Sequence, residues 1–386
     1  MEITIVSDVI GEENNGTTIA CMNLIRYLRS RGDHVKVLCA DQDKKGQPDY
    51  FVVPNMNLGP LNWALKINEV KLARPKRKII LDALKGSEAV HIMLPFALGN
   101  ATMKICKEKN IPVTCGFHCQ AENFTAHLFL MNNQFVNKYM YRRFYKTLYR
   151  YADAVHYPTE FIRDCFEKSI KHKTNAYVIS NGVNDRYVRL ENNESVLDKN
   201  KFNILFIGRL STEKSHPILL KAVSLSKYKE KIQLIFAGSG PKRNKITRLS
   251  KKYGINMPEM NFYSRDDLVK IINSADLYVH PSEIEIEAIS ALEAITCGLV
   301  PIFSNSPRSA TKMFAIDERN LFQYNSPQDL ANKIDYWIEH PEEKEKMKES
   351  YLDFTNPFHQ DACMARMREM IVETVERKKN ERSKNN

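Results

Sequence analysis

Short runs of branched apolar residues alternate with helical stretches along most of this chain, and the alternation restarts midway. That single feature restricts the fold more than any composition figure. In the first half, apolar runs at Ile3–Ser7, His34–Ala40, Phe51–Pro54, Ala89–Leu94, Pro112–His118, Ala154–Tyr157 and Ala176–Ser180 read as strands. The segments between them are helical; in Thr17–Ser30, for example, Ile19, Met22, Leu24, Ile25 and Leu28 recur near a 3.6-residue period. A basic helical stretch is expected over Asn62–Lys85. Glu191–Lys201 is polar and reads as a linker. The alternation then resumes with Phe202–Gly208, Ile232–Ala237, Met260–Tyr263, Asp276–His280 and Val300–Ser304. Strands that are apolar throughout, separated by helices, indicate parallel sheets covered on both faces. The expectation is an α/β protein of two doubly wound parallel-sheet domains, 1–190 and 191–357. A C-terminal segment, 358–386, is expected to form an amphipathic helix over Phe358–Lys379 that crosses back to the first domain and ends in a disordered basic tail.

Several classes are excluded early. No apolar run reaches the ~18 residues a membrane-spanning helix needs. Met1–Ile5 enters a strand directly, without the basic and apolar regions of an export signal. The eight cysteines show no zinc spacing and read as reduced structural thiols of a cytoplasmic protein. His91 and His156 lie inside apolar strands and read as structural.

Ligands of doubly wound sheets bind beyond the carboxyl ends of the strands, so the strand-end loops carry the chemistry. Gly16 stands just before the first helix, where free N–H groups favour a phosphate. Gly208-Arg209-Leu210-Ser211-Thr212-Glu213-Lys214 follows the first strand of the second series. Its guanidinium and ammonium suit diphosphate oxygens. Gly238 and Gly240, in Gly-Ser-Gly-Pro, allow close backbone approach. The run Ile286–Gly298 reads as helical, and Glu285 and Glu293 are eight residues apart. If both lay on one helix, they would share a face about 12 Å apart. Carboxylates accept hydrogen bonds from sugar hydroxyls, which matches a nucleotide sugar. Each loop also has a plain reading as a turn, a solvated charge pair or solvated helix glutamates; the combination is what carries weight.

That combination resembles glycosyltransferase family 4: Gly208-Arg209-Leu210…Glu213-Lys214, Gly238-Ser239-Gly240-Pro241, and Pro281-Ser282…Glu285-x7-Glu293…Cys297-Gly298. Ile179–Val183, Gly116-Phe117-His118 and Gly16 are similar to further family segments. The resemblance spans nearly the whole chain and implies a retaining enzyme of the GT-B fold, with two Rossmann-like domains facing across a cleft. It implies that Arg209 and Lys214 bind the donor diphosphate and that Glu285 binds sugar hydroxyls. Glu293 would bind the ribose, and His118 would orient donor and acceptor. It also implies that Gly16, Gly208, Gly238, Gly240, Ala288 and Ile289 line the donor, and that no metal or other cofactor is required. The chain departs from the family at Ile286-Glu287-Ala288, where Gly-Phe-Gly is usual, and at Ser304–Ser309, which lacks Gly-Gly.

The formal charge is +11, from 57 basic and 46 acidic residues. Much of the excess sits in Leu65–Lys78 and Lys138–Arg150. The second holds Lys138, Arg142, Arg143, Lys146 and Arg150 with interleaved aromatics and no acid. This composition suits an anionic membrane surface, or else a helix packed on the sheet with a basic outer face. No nucleic-acid motif accompanies the charge. The segment His118–Asn123 with this stretch is similar to bacterial diacylglycerol glucosyltransferases. The partners so implied are a nucleotide-sugar donor and a lipid or glycan acceptor, with peripheral contact at the inner face of the cell membrane. The alternatives are a soluble or capsule-type acceptor, a non-catalytic nucleotide-sugar-binding protein, or another GT-B enzyme such as an epimerase.

Overall fold

The computed structural model describes residues 1–8, 10, 16–56, 72–126, 132–191 and 194–385, apart from the side chains of 123, 124, 126 and 385. The chain divides into two compact units, Met1–Asn181 with Asp361–Asn386, and Gly182–Gln360.

The first unit runs β1 (Glu2–Val6), α1 (Gly16–Ser30), β2 (His34–Cys39), β3 (Tyr50–Val52), α2 (Arg77–Ala83), β4 (Ala89–Ile92), α3 (Ala97–Glu108), β5 (Val113–Gly116), α4 (Ala121–Ala126), α5 (Gln134–Thr147), β6 (Ala154–Tyr157), α6 (Glu160–Ile170) and β7 (Ala176–Val178). Its sheet has the order β3-β2-β1-β4-β5-β6-β7, and every pairing is parallel. The order reverses between β1 and β4, which makes their carboxyl ends the switch point of a doubly wound sheet.

The second unit runs β8 (Phe202–Ile207), α7 (His216–Leu225), β9 (Ile232–Ala237), α8 (Arg243–Tyr253), β10 (Glu259–Asn261), α9 (Arg265–Ser274), β11 (Leu277–His280), α10 (Ile289–Thr296), β12 (Pro301–Ser304), β13 (Leu321–Phe322), α11 (Pro327–Glu339) and α12 (Pro341–Phe354). Its order is β10-β9-β8-β11-β12-β13, again parallel, with the switch between β8 and β11. The last helix, α13, spans Gln360–Asn385. Cys363, Met364, Met367, Met370, Ile371 and Val375 are buried in one core with Ile3, Leu24 and Ile25. Their three- and four-residue spacing lines one stripe of the helix. Arg368 fixes the register by a two-pronged bond to buried Asp33, at 2.7 and 3.1 Å.

Several expected boundaries move. The units part after Asn181 rather than after 190. The reason is apolar: Val183 and Tyr187 are buried in the core of the second unit, and the Val183 N–H bonds the Phe358 carbonyl at 2.7 Å. The polar segment after 190 is thus internal to that unit. Within Asn62–Lys85, residues up to 71 lie outside the described set; of the remainder only Arg77–Ala83 is helical. The C-terminal tail is helical through Asn385 rather than disordered.

Candidate functional site

The loops after β8 and β9 extend the ladder of their strands. The Gly208 N–H bonds the Ala237 carbonyl at 3.0 Å, Leu210 bonds Ser239 at 2.8 Å, and Lys242 returns to Leu210 at 2.9 Å. A Cβ on Gly238 would lie 2.0 Å from the Gly208 carbonyl oxygen, and one on Gly240 would lie 2.6 Å from that of Leu210. Close contact between the two loops therefore demands these glycines, whatever binds nearby. The zipped pair presents Arg209, half-buried, and a short turn, Thr212–Lys214, that leads into α7. Glu213 accepts from the Glu283 N–H at 2.8 Å, which ties this turn to the loop after β11.

Glu285 does not lie on a helix with Glu293. It is extended, bridged in parallel to Ser309, and its carbonyl accepts from Ala310 at 2.9 Å. Ala288 adopts a left-handed conformation (φ 65°), so α10 starts only at Ile289 and no side chain caps it. The shared-face argument from spacing thus fails. The Glu285 carboxylate reaches the β8 loop from an extended segment, and only Glu293 stands on the helix. Glu285 is 8% exposed and pairs with Lys214. His280 Nε2 is 2.8 Å from its Oε1. Burial pushes this carboxyl up, but the Lys214 charge and the His280 hydrogen bond outweigh it and hold the pKa down to about 2. Glu285 is therefore ionised at neutral pH. Glu293 is half-buried. Burial raises its pKa to about 7 against the Tyr187 hydroxyl and the charges of Arg265 and Arg186.

Ser304–Ser309, which lacks the glycine pair usual in the family, braces the carboxylates instead. Arg308 and Tyr324 both bind Glu283, and the Ser306 hydroxyl donates to the Glu283 carbonyl at 2.6 Å. Glu287 is buried, at 3% exposure. Sequence reasoning missed Tyr278 and His280 behind Glu285. Their signal was two polar rings two apart in a strand otherwise fit for a core.

The first unit holds the other two expected site residues. Gly16 opens α1 and is exposed; Gly11–Asn15 lie outside the described residues. His118 lies beyond the end of β5, half-buried, and its carbonyl accepts from Thr17 Oγ1 at 3.3 Å. Its ring covers Gly116, where a Cβ would lie 2.5 Å from Nε2. Burial, with His156 and His91 nearby, holds His118 well below the usual histidine range, so the ring is neutral. His91 and His156 are buried and bonded, to Thr114 at 2.8 Å and to the Ile179 carbonyl at 2.7 Å.

The basic stretch resolves into two faces of α5. Tyr141 and Phe144 point inward, with Tyr149 just beyond, beside an aromatic cluster around Phe117. These three rings are structural and unavailable to a surface, which corrects the expectation for them; Tyr145 of the same stretch is half-buried. Lys138, Arg142, Arg143, Lys146 and Arg150 are exposed. Two aromatics accompany them, Phe135 (89% exposed) and Tyr139 (62%). Among the described residues no helix is long and apolar enough to cross a membrane, and no group of three or more His, Cys, Asp or Glu is placed to hold a metal. All eight cysteines are free.

Comparison with known proteins also divides the chain in two, at 187/188 rather than after Asn181. The profile for Glycosyltransferase Family 4 matches residues 14–187, and that for Glycosyl transferases group 1 matches 188–351. The alpha-monoglucosyldiacylglycerol synthase of Streptococcus pneumoniae is 24% identical over 237 residues, 57% of this chain. The match spans about half of that relative's length, 52%. Anabaena Alr3699/HepE, solved in complex with UDP, superposes with a TM-score of 0.76 at 16% identity, over 97% of this chain and all of that one. The catalytic domain of cholesterol-alpha-glucosyltransferase from Helicobacter pylori is 45% identical over 40% of this chain and 96% of its own, with a TM-score of 0.39 that adds nothing to the fold assignment. Two doubly wound domains, the loop residues just described and consecutive profile matches over 14–351 agree: the chain belongs to glycosyltransferase family 4 and has the GT-B fold.

Proposed function

We propose that the protein transfers a hexose from a UDP- or GDP-linked donor to a lipid or glycan acceptor at the inner face of the cell membrane, with retention of anomeric configuration. The observation that carries this reading is the contact of Lys214 with an ionised, buried Glu285. It sets a cation for a diphosphate beside an acceptor for sugar hydroxyls, on adjacent strand-end loops of one doubly wound sheet.

In this reading Arg209 and Lys214 bind the diphosphate and stabilise its charge as it leaves. The uncapped start of α10, at Ala288 and Ile289, and the Gly16 amide add N–H groups to phosphate oxygens. Glu285 takes hydroxyls of the hexose, Glu293 takes the ribose, and His118 orients donor against acceptor. The anomeric carbon's bond to the diphosphate oxygen breaks, and its bond to the acceptor oxygen forms on the same face. The acceptor proton passes to the departing phosphate. The two cations supply the charge stabilisation, so the scheme needs no metal.

A lipid acceptor is supported by the diacylglycerol synthase relative and by the outer face of α5. Four exposed cations there, with Arg150 just beyond the helix, share the surface with two exposed rings, a composition suited to anionic headgroups. A thermal-shift screen of UDP-, GDP- and ADP-glucose tests the donor. A bound ligand at ~100 times its dissociation constant adds ~2.7 kcal/mol of stability, and no shift with any of them rejects the donor assignment. Proton NMR of the product decides retention. Flotation with anionic vesicles tests the surface: full activity on a soluble acceptor without vesicle binding rejects it.

A further inference from the structure

A buried dyad stands behind Glu285. Tyr278 and His280 are two apart on β11, so both side chains leave the same face of the sheet. Each is fully buried. The Tyr278 hydroxyl lies 2.7 Å from His280 Nδ1, and His280 Nε2 lies 2.8 Å from Glu285 Oε1. An ionised carboxylate only accepts. The ring proton therefore sits on Nε2, and Nδ1 accepts the proton of the phenol. Phe206 packs against the imidazole, with ring centroids 5.6 Å apart. The ring is thus held by packing on one side and by a hydrogen bond at each nitrogen.

Lys214 also contacts Oε1. Both contacts fall on that oxygen, and among the described residues none is recorded to Oε2. We propose that His280, fixed in orientation and tautomer by Tyr278, is a positioning residue that anchors Glu285 through Oε1 and turns Oε2 toward the hydroxyls of the donor hexose. Without it, the carboxylate would be held by Lys214 alone, a flexible side chain that also has to serve the diphosphate. Burial keeps His280 below the usual histidine range, so it donates without adding a charge. The inference rests on the reading of Glu285 as the carboxylate that meets the sugar.

Recognition of the sugar should then separate from recognition of the nucleotide. The probes are UDP with UDP-glucose and, in parallel, GDP with GDP-glucose, measured by calorimetry on the full chain. In His280→Leu, affinity for the nucleotide sugar should fall about tenfold, the range of one lost hydrogen bond to a charged group, while affinity for the free diphosphate changes less than twofold. The acid limb of kcat/KM should move to higher pH, because Glu285 loses a stabiliser of its charged form. The titratable groups around Glu285 are Lys214 on the β8 loop, and His280 and Tyr278 on β11. His216 at the start of α7 bears on Lys214 and His280, and Glu293 on α10 bears on Tyr278. Arg308 turns its charge to Glu283. His280→Gln, which keeps an N–H donor, should restore most of the difference. Tyr278→Phe removes one hydroxyl and almost no volume; it should give the same selective loss, about threefold, even if His280→Leu does not fold. Equal weakening of diphosphate and nucleotide sugar, or an unmoved acid limb, overturns the role of His280. A wild-type chain that binds neither nucleotide sugar overturns the donor reading itself.

Discussion

The carboxyl edges of the two sheets are built differently. In the second unit, the loops after β8, β9, β11 and β12 are bonded to one another through backbone and side chain. Leu210 joins Ser239, Glu283 joins Glu213, Ala310 joins Glu285, and Lys214 closes on Glu285. In the first unit, residues 11–15 of the loop after β1 lie outside the described residues, and the described part of the edge centres on His118. Among the described residues, His118 Nε2 is buried without a hydrogen-bond partner, and its carbonyl accepts from the Thr17 hydroxyl at 3.3 Å. An edge with its charges already fixed acts as a preorganised electrostatic site, because nothing has to reorganise when charge develops. An edge with an unsatisfied ring nitrogen bears a cost that a ligand's hydrogen bond would remove. On this comparison, changes in the second unit should act on charge stabilisation and packing, and changes at His118 on substrate orientation.

The largest effect should come from Lys214→Ala. On the proposed reading it removes one of two cations from the diphosphate, and it leaves the buried Glu285 carboxylate without its ion-pair partner. Sugar transfer should drop about 10³-fold, the scale of a lost transition-state charge contact. A rate within tenfold of wild type would place the charged site elsewhere. Gly238→Ala comes next. Its Cβ meets backbone that has no free volume to yield, so the β8 and β9 loops must part, at a cost of about 3 kcal/mol. Denaturant melting reads that cost directly, and a silent substitution would show that the zipped edge is loose. His118→Ala should sharpen the contrast. Its kcat should fall about 100-fold through lost orientation, while its melting temperature changes much less than that of Gly238→Ala. A large loss of stability would make His118 a packing residue. The smallest effect is a gain. Ala288 holds a left-handed conformation that costs an L-residue roughly 1 kcal/mol, and Gly adopts it freely. Ala288→Gly should stabilise the protein by about 0.5 kcal/mol after its own chain-entropy cost, and a higher denaturation midpoint at unchanged slope checks it.

Much of this was legible in the sequence. Unbroken apolar runs such as Ile204–Ile207 and Leu234–Ala237 identify buried parallel strands, because no half-exposed strand tolerates them. Arg209, Lys214 and Glu285 stand out because each lies in a loop that follows a strand. Errors concentrated where local periodicity met a tertiary override. Residues 286–288 carry helical spacing, yet Glu285 is bridged to Ser309 and Ala288 is left-handed, so the helix starts only at Ile289. Tyr141, Phe144 and Tyr149 sit among cations in sequence and in the core in space, since a helix sorts neighbours to opposite faces. Val183 and Tyr187 fall in the first domain by the expected boundary at 190, until burial assigns them to the second unit.

The positions of the strands along the chain, the restart of the β-α series and the identity of the charged loop residues are local properties, set by hydrophobic period and turn chemistry, and the chain alone determined them. Only the folded structure decided which oxygen of Glu285 is anchored, that a histidine inside a strand holds it, and that Gly238 is required by a neighbouring carbonyl. Those outcomes depend on distances between segments tens of residues apart, which no sequence spacing encodes.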